Sequence, residues 1–402
     1  MSRRLRPVWA VSVAALSLTL AACGGGGDSG GGGDTIDLGF ISVFSGRVAM
    51  LGDTGLKGAQ LAVNEINEAG GVDGQEFAIE SKDTAADPEQ AVSAARDFVL
   101  QDQVDFLIDG SSSNEAFAVS QTSSQLGTVV ITTASEADTL TAEENFQEKV
   151  FRVARSTTFD GVAAAKYAES LGAKNWMSIS PDYAYGRDCT DRFFEFLPDA
   201  SVGKQLWPAL FEPDYTPLIQ QIVRESPDAV FSCLWGGDLV TFIQQAKPFG
   251  LFEKTTFVTP TLADSLVIDA LGADLPAGIH TGSRFAVGSP PTDANAQFDK
   301  DYRAEFGEGP TNWSIQGYLG VKMLAKAIEE AGSTEPDAVA KALEGLELTD
   351  TPWGDVALRD KDHTLTNWDI RWGVTDPARP EYPVEFKYQA DWGVIFDTLG
   401  QS

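Results

Sequence analysis

The chain has 402 residues, with 59 Asp and Glu against 29 Lys and Arg, and a formal net charge of −30 at pH 7. A surface that acidic repels phosphate backbones, which excludes nucleic acid as a partner. The 2 histidines, His280 and His363, lie far from the 3 cysteines, so neither a histidine general base nor a metal site is expected, and no cofactor motif is present.

Arg3, Arg4 and Arg6 precede an apolar run from Val8 to Leu20, which ends in Leu20-Ala21-Ala22-Cys23. This is the build of a secretory signal peptide over residues 1–22, too short for a spanning helix. Cys23 at the cleavage point resembles the bacterial lipobox, whose cysteine is lipidated and becomes the first mature residue. Cleavage would remove three arginines and no acid, taking the charge to −33. Residues 24–33 are mostly glycine, a flexible coil reaching roughly 17 Å on average. Residues 23–34 therefore read as a lipidated tether that holds a large domain outside the cytoplasm, at a membrane surface.

From Thr35 short apolar runs alternate with amphipathic segments, the rhythm of repeated βα units. Strands are expected at 36–43, 77–80, 104–108 and 129–131. Helices are expected around Leu56–Ile66, ended by Gly70-Gly71, and over 88–100, where Pro88 suits the first turn. After Val150–Val153 the rhythm restarts, with helices at 161–171, 188–196, 216–224 and 239–249. These lead to strands at 176–180, 201–207, 229–233 and 256–259. Residues 278–285 run back extended, helices follow at 294–306, 313–331 and 336–346, and the tail is β-like. Cys189 and Cys233 either pair or stay as buried thiols; their spacing does not decide.

No catalytic constellation is present. There is no Gly-x-Ser-x-Gly elbow, and Gly55-Leu56-Lys57-Gly58 is not a phosphate loop. The informative positions are strand ends, where open α/β sheets bind ligands. Gly110-Ser111-Ser112-Ser113-Asn114 offers hydroxyls at a helix N-terminus, suited to a carboxylate or polar group, and plain helix capping is the alternative. Thr132-Thr133-Ala134-Ser135-Glu136 is a second polar strand end. Tyr183 and Tyr185 suit a cleft wall, and Trp235 and Thr261 end two further strands.

Six segments in this order resemble the type I periplasmic binding proteins of branched-chain amino-acid ABC transporters. They are Ser45-Gly46 with Gly58–Asn67, Asp87–Val92, Tyr183–Gly186, Asp214–Ile219 and Pro227–Phe231. The resemblance runs from Ile36 to Leu358. It implies an α/β fold of two Rossmann-like lobes joined by a three-crossing hinge, with the ligand enclosed between them. The divisions expected are 35–153 for the first lobe, 154–283 for the second, 284–360 returning to the first and 361–402 to the second. The crossings are placed at 153–156, 281–285 and between 353 and 368.

Carried over by residue, the resemblance puts the carboxylate-holding serine at Ser112 or Ser111, with Ser113 beside them. A backbone contributor falls at Ala134, next to Ser135. Leu51 takes the place of an aromatic in the family, Tyr185 is the tyrosine before glycine, and Trp235 the next aromatic. Two positions depart. The family's acid for the ligand ammonium falls on Thr261, and a hydroxyl residue falls on Glu136. Either Glu136 now meets a cation, or the ligand lacks an α-ammonium, as in relatives for amides, urea or aromatic acids. The expectation is a monomeric, lipid-anchored solute-binding protein, without enzyme activity, that delivers a small polar organic molecule to an ABC permease. A ligand-sensing domain of the same fold is the alternative.

Overall fold

The computed structural model describes residues 35–401, except 284, 287, 380 and 381. The expected signal peptide, Cys23 and the tether lie outside these residues. Strands β1 (Thr35–Ser42), β2 (Glu76–Asp83), β3 (Phe106–Asp109), β4 (Val130–Thr132) and β5 (Val150–Arg152) form a parallel sheet in the order β2-β1-β3-β4-β5. Its central strands read as unbroken apolar runs because helices cover both faces; every residue of β3 is buried. Helices α1 (Ala49–Glu68), α2 (Pro88–Asp97) and α3 (Ser113–Leu126) make the crossovers.

The second lobe repeats the scheme. It runs through α4 (Thr157–Glu169), β6 (Asn175–Ile179), α5 (Ala184–Glu195), β7 (Ser201–Leu206), α6 (Thr216–Glu225) and β8 (Ala229–Ser232). It continues through α7 (Gly236–Ala246), α8 (Leu251–Lys254), β9 (Thr256–Ala263), α9 (Ser265–Leu271) and β10 (His280–Ser283). The chain then returns to the first lobe with α10 (Asp293–Phe306), α11 (Asn312–Ala331) and α12 (Pro336–Leu343). Strands β11 (Glu347–Thr351), β12 (Gly354–Leu358) and β13 (Leu365–Thr366) form a small antiparallel sheet. Finally β14 (Arg371–Thr375) and β15 (Val384–Gln389) complete a seven-stranded sheet, β15-β14-β10-β9-β8-β6-β7, and α13 (Trp392–Thr398) packs against α4.

The chain therefore passes between the sheets three times, after β5, after β10 and after β13. Because β13 pairs with β12, the last passage comes at 367–370, a few residues beyond the expected 360/361 division. Arg155 binds two of the passages together. Its guanidinium is buried, donates to the Ser283 carbonyl at 2.7 Å and pairs with Asp160 at 2.5 Å.

Helix α11 is buried along most of its length and lies against α1. Glycines allow the approach. A Cβ at Gly58 would fall 1.8 Å from the Ser314 carbonyl oxygen, and one at Gly317 would fall 2.2 Å from that of Gly55. This close crossing carries the start of α11 to the edge of the cleft.

Candidate functional site

The cleft lies where strands end and helices begin in both lobes. From the first lobe come Leu51 in the opening turn of α1, Ser112 and Ser113 at the β3–α3 junction, Ala134 and Glu136 after β4, and Trp313 at the start of α11. From the second come Tyr183 and Tyr185 at the start of α5 and Trp235 immediately before α7. These nine side chains line a cavity of about 30 Å³. That is room for a water molecule or two, so the lobes stand closed on one another. Gly186 lets α5 present Tyr185, since a Cβ there would meet the Pro181 carbonyl oxygen at 2.0 Å.

The aromatic side is mutually braced. Trp235 Nε1 donates to the Tyr183 hydroxyl at 2.9 Å, and its ring meets the edge of Trp313 across the cleft, centroids 5.7 Å apart. Burial pushes the phenols of Tyr183 and Tyr185 well above their ordinary range, so both stay neutral hydrogen-bonding groups. Glu136 is the one acid among the lining residues. Glu136 is 3% exposed, its Oε1 lies 3.5 Å from Asn312 Nδ2, and its backbone carbonyl accepts from the Thr157 N–H at 3.0 Å. Behind the serines, Asp109 is wholly buried and burial pushes it up to about 7, partly offset by its bonds from Ser111. Among the described residues no group of three or more His, Cys, Asp or Glu could hold a metal ion.

A family model for periplasmic binding proteins matches residues 35–368. The chain belongs to that family. It is similar to Leu/Ile/Val-binding protein homolog 7 of Brucella abortus (strain 2308), 28% identical over 356 residues, 84% of this chain and 86% of that one. Among solved structures it resembles a solute binding protein of an ABC transporter from Rhodopseudomonas palustris BisB5, in complex with 3,4-dihydroxy benzoic acid. The TM-score is 0.82 at 21% identity, covering 89% of this chain and 98% of that one. The branched-chain amino acid transporter substrate binding protein of Streptococcus pneumoniae, in complex with isoleucine, gives 0.76 at 23% identity over 88% and 100%. This is a periplasmic binding protein, with the two-lobed α/β fold of the solved solute-binding proteins. Both of those structures are of substrate- or solute-binding proteins of transporters.

In this binding protein Leu51, Ser112, Ser113, Ala134, Glu136, Tyr185 and Trp235 come together around the cavity. Three expected residues do not. Ser111 is fully buried and turns its hydroxyl to Asp109 Oδ1 at 2.5 Å. The Ser135 hydroxyl is buried away from the cavity, without a hydrogen-bond partner among the described residues. Thr261 sits inside β9, where its hydroxyl meets Thr259 Oγ1 at 2.8 Å and the Leu234 carbonyl. Its place in the strand turns it into the sheet. Two wall residues lie outside the set carried over from the family. Tyr183 carried a signal, as one of two tyrosines at a strand end. Trp313 carried none, because only the packing of α11 on α1 brings it to the cleft.

Proposed function

We propose that this protein captures a small organic solute bearing an amine or amide, closes its lobes over it and hands it to an ABC permease. The observation that carries this reading is the cavity itself. One carboxylate, Glu136, shares the cavity wall with four aromatic rings contributed by both lobes. An N–H-rich or cationic head meets the acid, and an apolar body meets the rings. The Leu/Ile/Val-binding relatives support an amino-acid-like ligand, and the ring-lined wall and the dihydroxybenzoate complex favour aromatic acids as a second reading. Titration calorimetry separates them. Amino acids or their amides should bind, and Glu136→Gln should weaken binding by at least about tenfold, near 1.4 kcal/mol. Tight binding of benzoate that is indifferent to Glu136→Gln would overturn the amine reading in favour of the aromatic acid.

We also propose that the mature chain begins at Cys23 and is anchored by lipid on that cysteine. The motif Leu20-Ala21-Ala22-Cys23 and the glycine-rich stretch after it support this. No helix among the described residues is long and apolar enough to cross a membrane. Cys23→Ser should leave the chain unprocessed or release it from the membrane fraction. Normal processing and retention of that variant would refute the anchor.

A further inference from the structure

Ser112 stands where a carboxylate-holding serine is expected, yet its hydrogens are already engaged. The hydroxyl donates to Glu115 Oε2 at 2.5 Å, and the backbone N–H reaches the same oxygen at 3.1 Å. Thr84 donates its hydroxyl to the other oxygen, Oε1. Glu115, in the first turn of α3, is completely buried and is the acceptor in all three bonds, the arrangement of a carboxylate. One residue earlier, Ser111 points both its N–H and its hydroxyl at Asp109 Oδ1, at 3.1 and 2.5 Å.

A hydroxyl has one hydrogen and two lone pairs. With the Ser112 hydrogen on the Glu115 carboxylate and one lone pair accepting from the Glu115 backbone N–H in the capping box, what remains for the cavity is a lone pair, and this invites a donor. A ligand carboxylate arriving there would also approach Glu115 and Asp109 from behind the wall and Glu136 on it, three acids within one low-dielectric region. An amide brings N–H donors to Ser112 without adding negative charge.

We propose that Glu115 sets the ligand class: by holding the hydroxyl and amide hydrogens of Ser112 and placing an acid directly behind them, it makes this end of the cleft select an amide or amine over a free carboxylate. The inference rests on the amine-or-amide reading above and narrows it. Glu115 acts through Ser112 and is a specificity-determining residue without being itself part of the cavity wall.

The test is a matched pair of probes, L-leucine with L-leucinamide and L-phenylalanine with L-phenylalaninamide, titrated into the full extracytoplasmic chain. The amide of at least one pair should bind tenfold or more tighter than its acid. Glu115→Gln, of equal size, should shrink that preference by at least fivefold, chiefly by improving the acid. Asp109→Asn, titrated at about pH 8 where the native Asp109 is ionised, removes the other buried acid, leaves the Ser112–Glu115 bonds in place, should shift the preference the same way and serves should Glu115→Gln fail to fold. If acid and amide bind equally and neither variant changes the ratio, the inference falls while the amine reading stands. If no member of either pair binds the unmodified protein, both fall.

Discussion

Asp109 ends β3 with its whole side chain out of water, and only one of its two oxygens has a partner among the described residues. Burial pushes it up to about 7, with the charge of Glu115 adding to the effect. In the unfolded chain an aspartate titrates near 4. A folded pKa above the unfolded one means that the fold prefers the protonated acid. Its stabilising contribution is complete below about pH 4 and is lost as pH rises toward 7. Denaturant unfolding of the native protein should therefore weaken between pH 4 and 7 relative to Asp109→Asn, by up to about 4 kcal/mol. Parallel stability curves for the two proteins across that range would show that Asp109 does not titrate as described. The same residues mark what a sequence reveals of a site. The strand-end positions of Ser112, Ser113, Glu136 and Trp235 were legible, because alternating βα units place ligands there. The direction of a hydroxyl was not. Ser111 and Ser112 are neighbours of one kind, and only a buried acid two or three residues away decides where each hydrogen goes.

At the level of elements, the apolar strands and the amphipathic helices of both lobes lie within a few residues of their expected bounds. The exceptions have local causes. Helix α1 starts at Ala49, several residues before Leu56, although its first turns contain Gly52 and Gly55. Helix propensity argues against those glycines and packing overrides it: a Cβ at Gly52 would lie 2.4 Å from the Val43 carbonyl oxygen. Helices α9 and α13 are seven residues each, too short for a periodic signal, and α13 is built from Trp, Val, Ile and Phe, which read as strand. The open question of the cysteines is resolved by placement. Cys189, inside α5, forms a disulfide with Cys233, directly after β8. Those two segments deliver Tyr183, Tyr185 and Trp235, and the bond from Trp235 to Tyr183 joins them again at the cavity. Ser180 braces the same junction, accepting from the Cys233 N–H at 3.1 Å and from the Thr190 hydroxyl at 2.7 Å. The second-lobe wall is thus one cross-linked unit, whereas Trp313 and Glu136 approach it from a separate sheet.

That division fixes how the whole molecule must work. A cavity of about 30 Å³ is far below the few hundred Å³ that small-molecule sites usually provide, so a solute of amino-acid size needs the lobes to part. The contacts that would separate lie between the two lobes. They are the Trp235–Trp313 edge contact, the Ser265 hydroxyl on the Pro310 carbonyl at 3.0 Å, and Asp264 Oδ2 facing the Asn312 N–H at 3.4 Å. Near the first passage Asp188 of α5 also accepts from the Asp138 N–H at 2.6 Å. Each bond of this kind contributes about 1 kcal/mol, enough to bias an open–closed equilibrium and too little to lock it. In solution the ligand-free protein should scatter X-rays as a longer particle than this structure, and saturating ligand should contract it toward these dimensions. Ser265→Ala, which removes a bridge between the lobes and touches no cavity residue, should weaken binding roughly fivefold, mainly through faster release. Scattering curves that coincide with and without saturating ligand would mean that solute reaches Glu136 by local movement of the aromatic side chains alone. Ser265→Ala would then leave affinity unchanged.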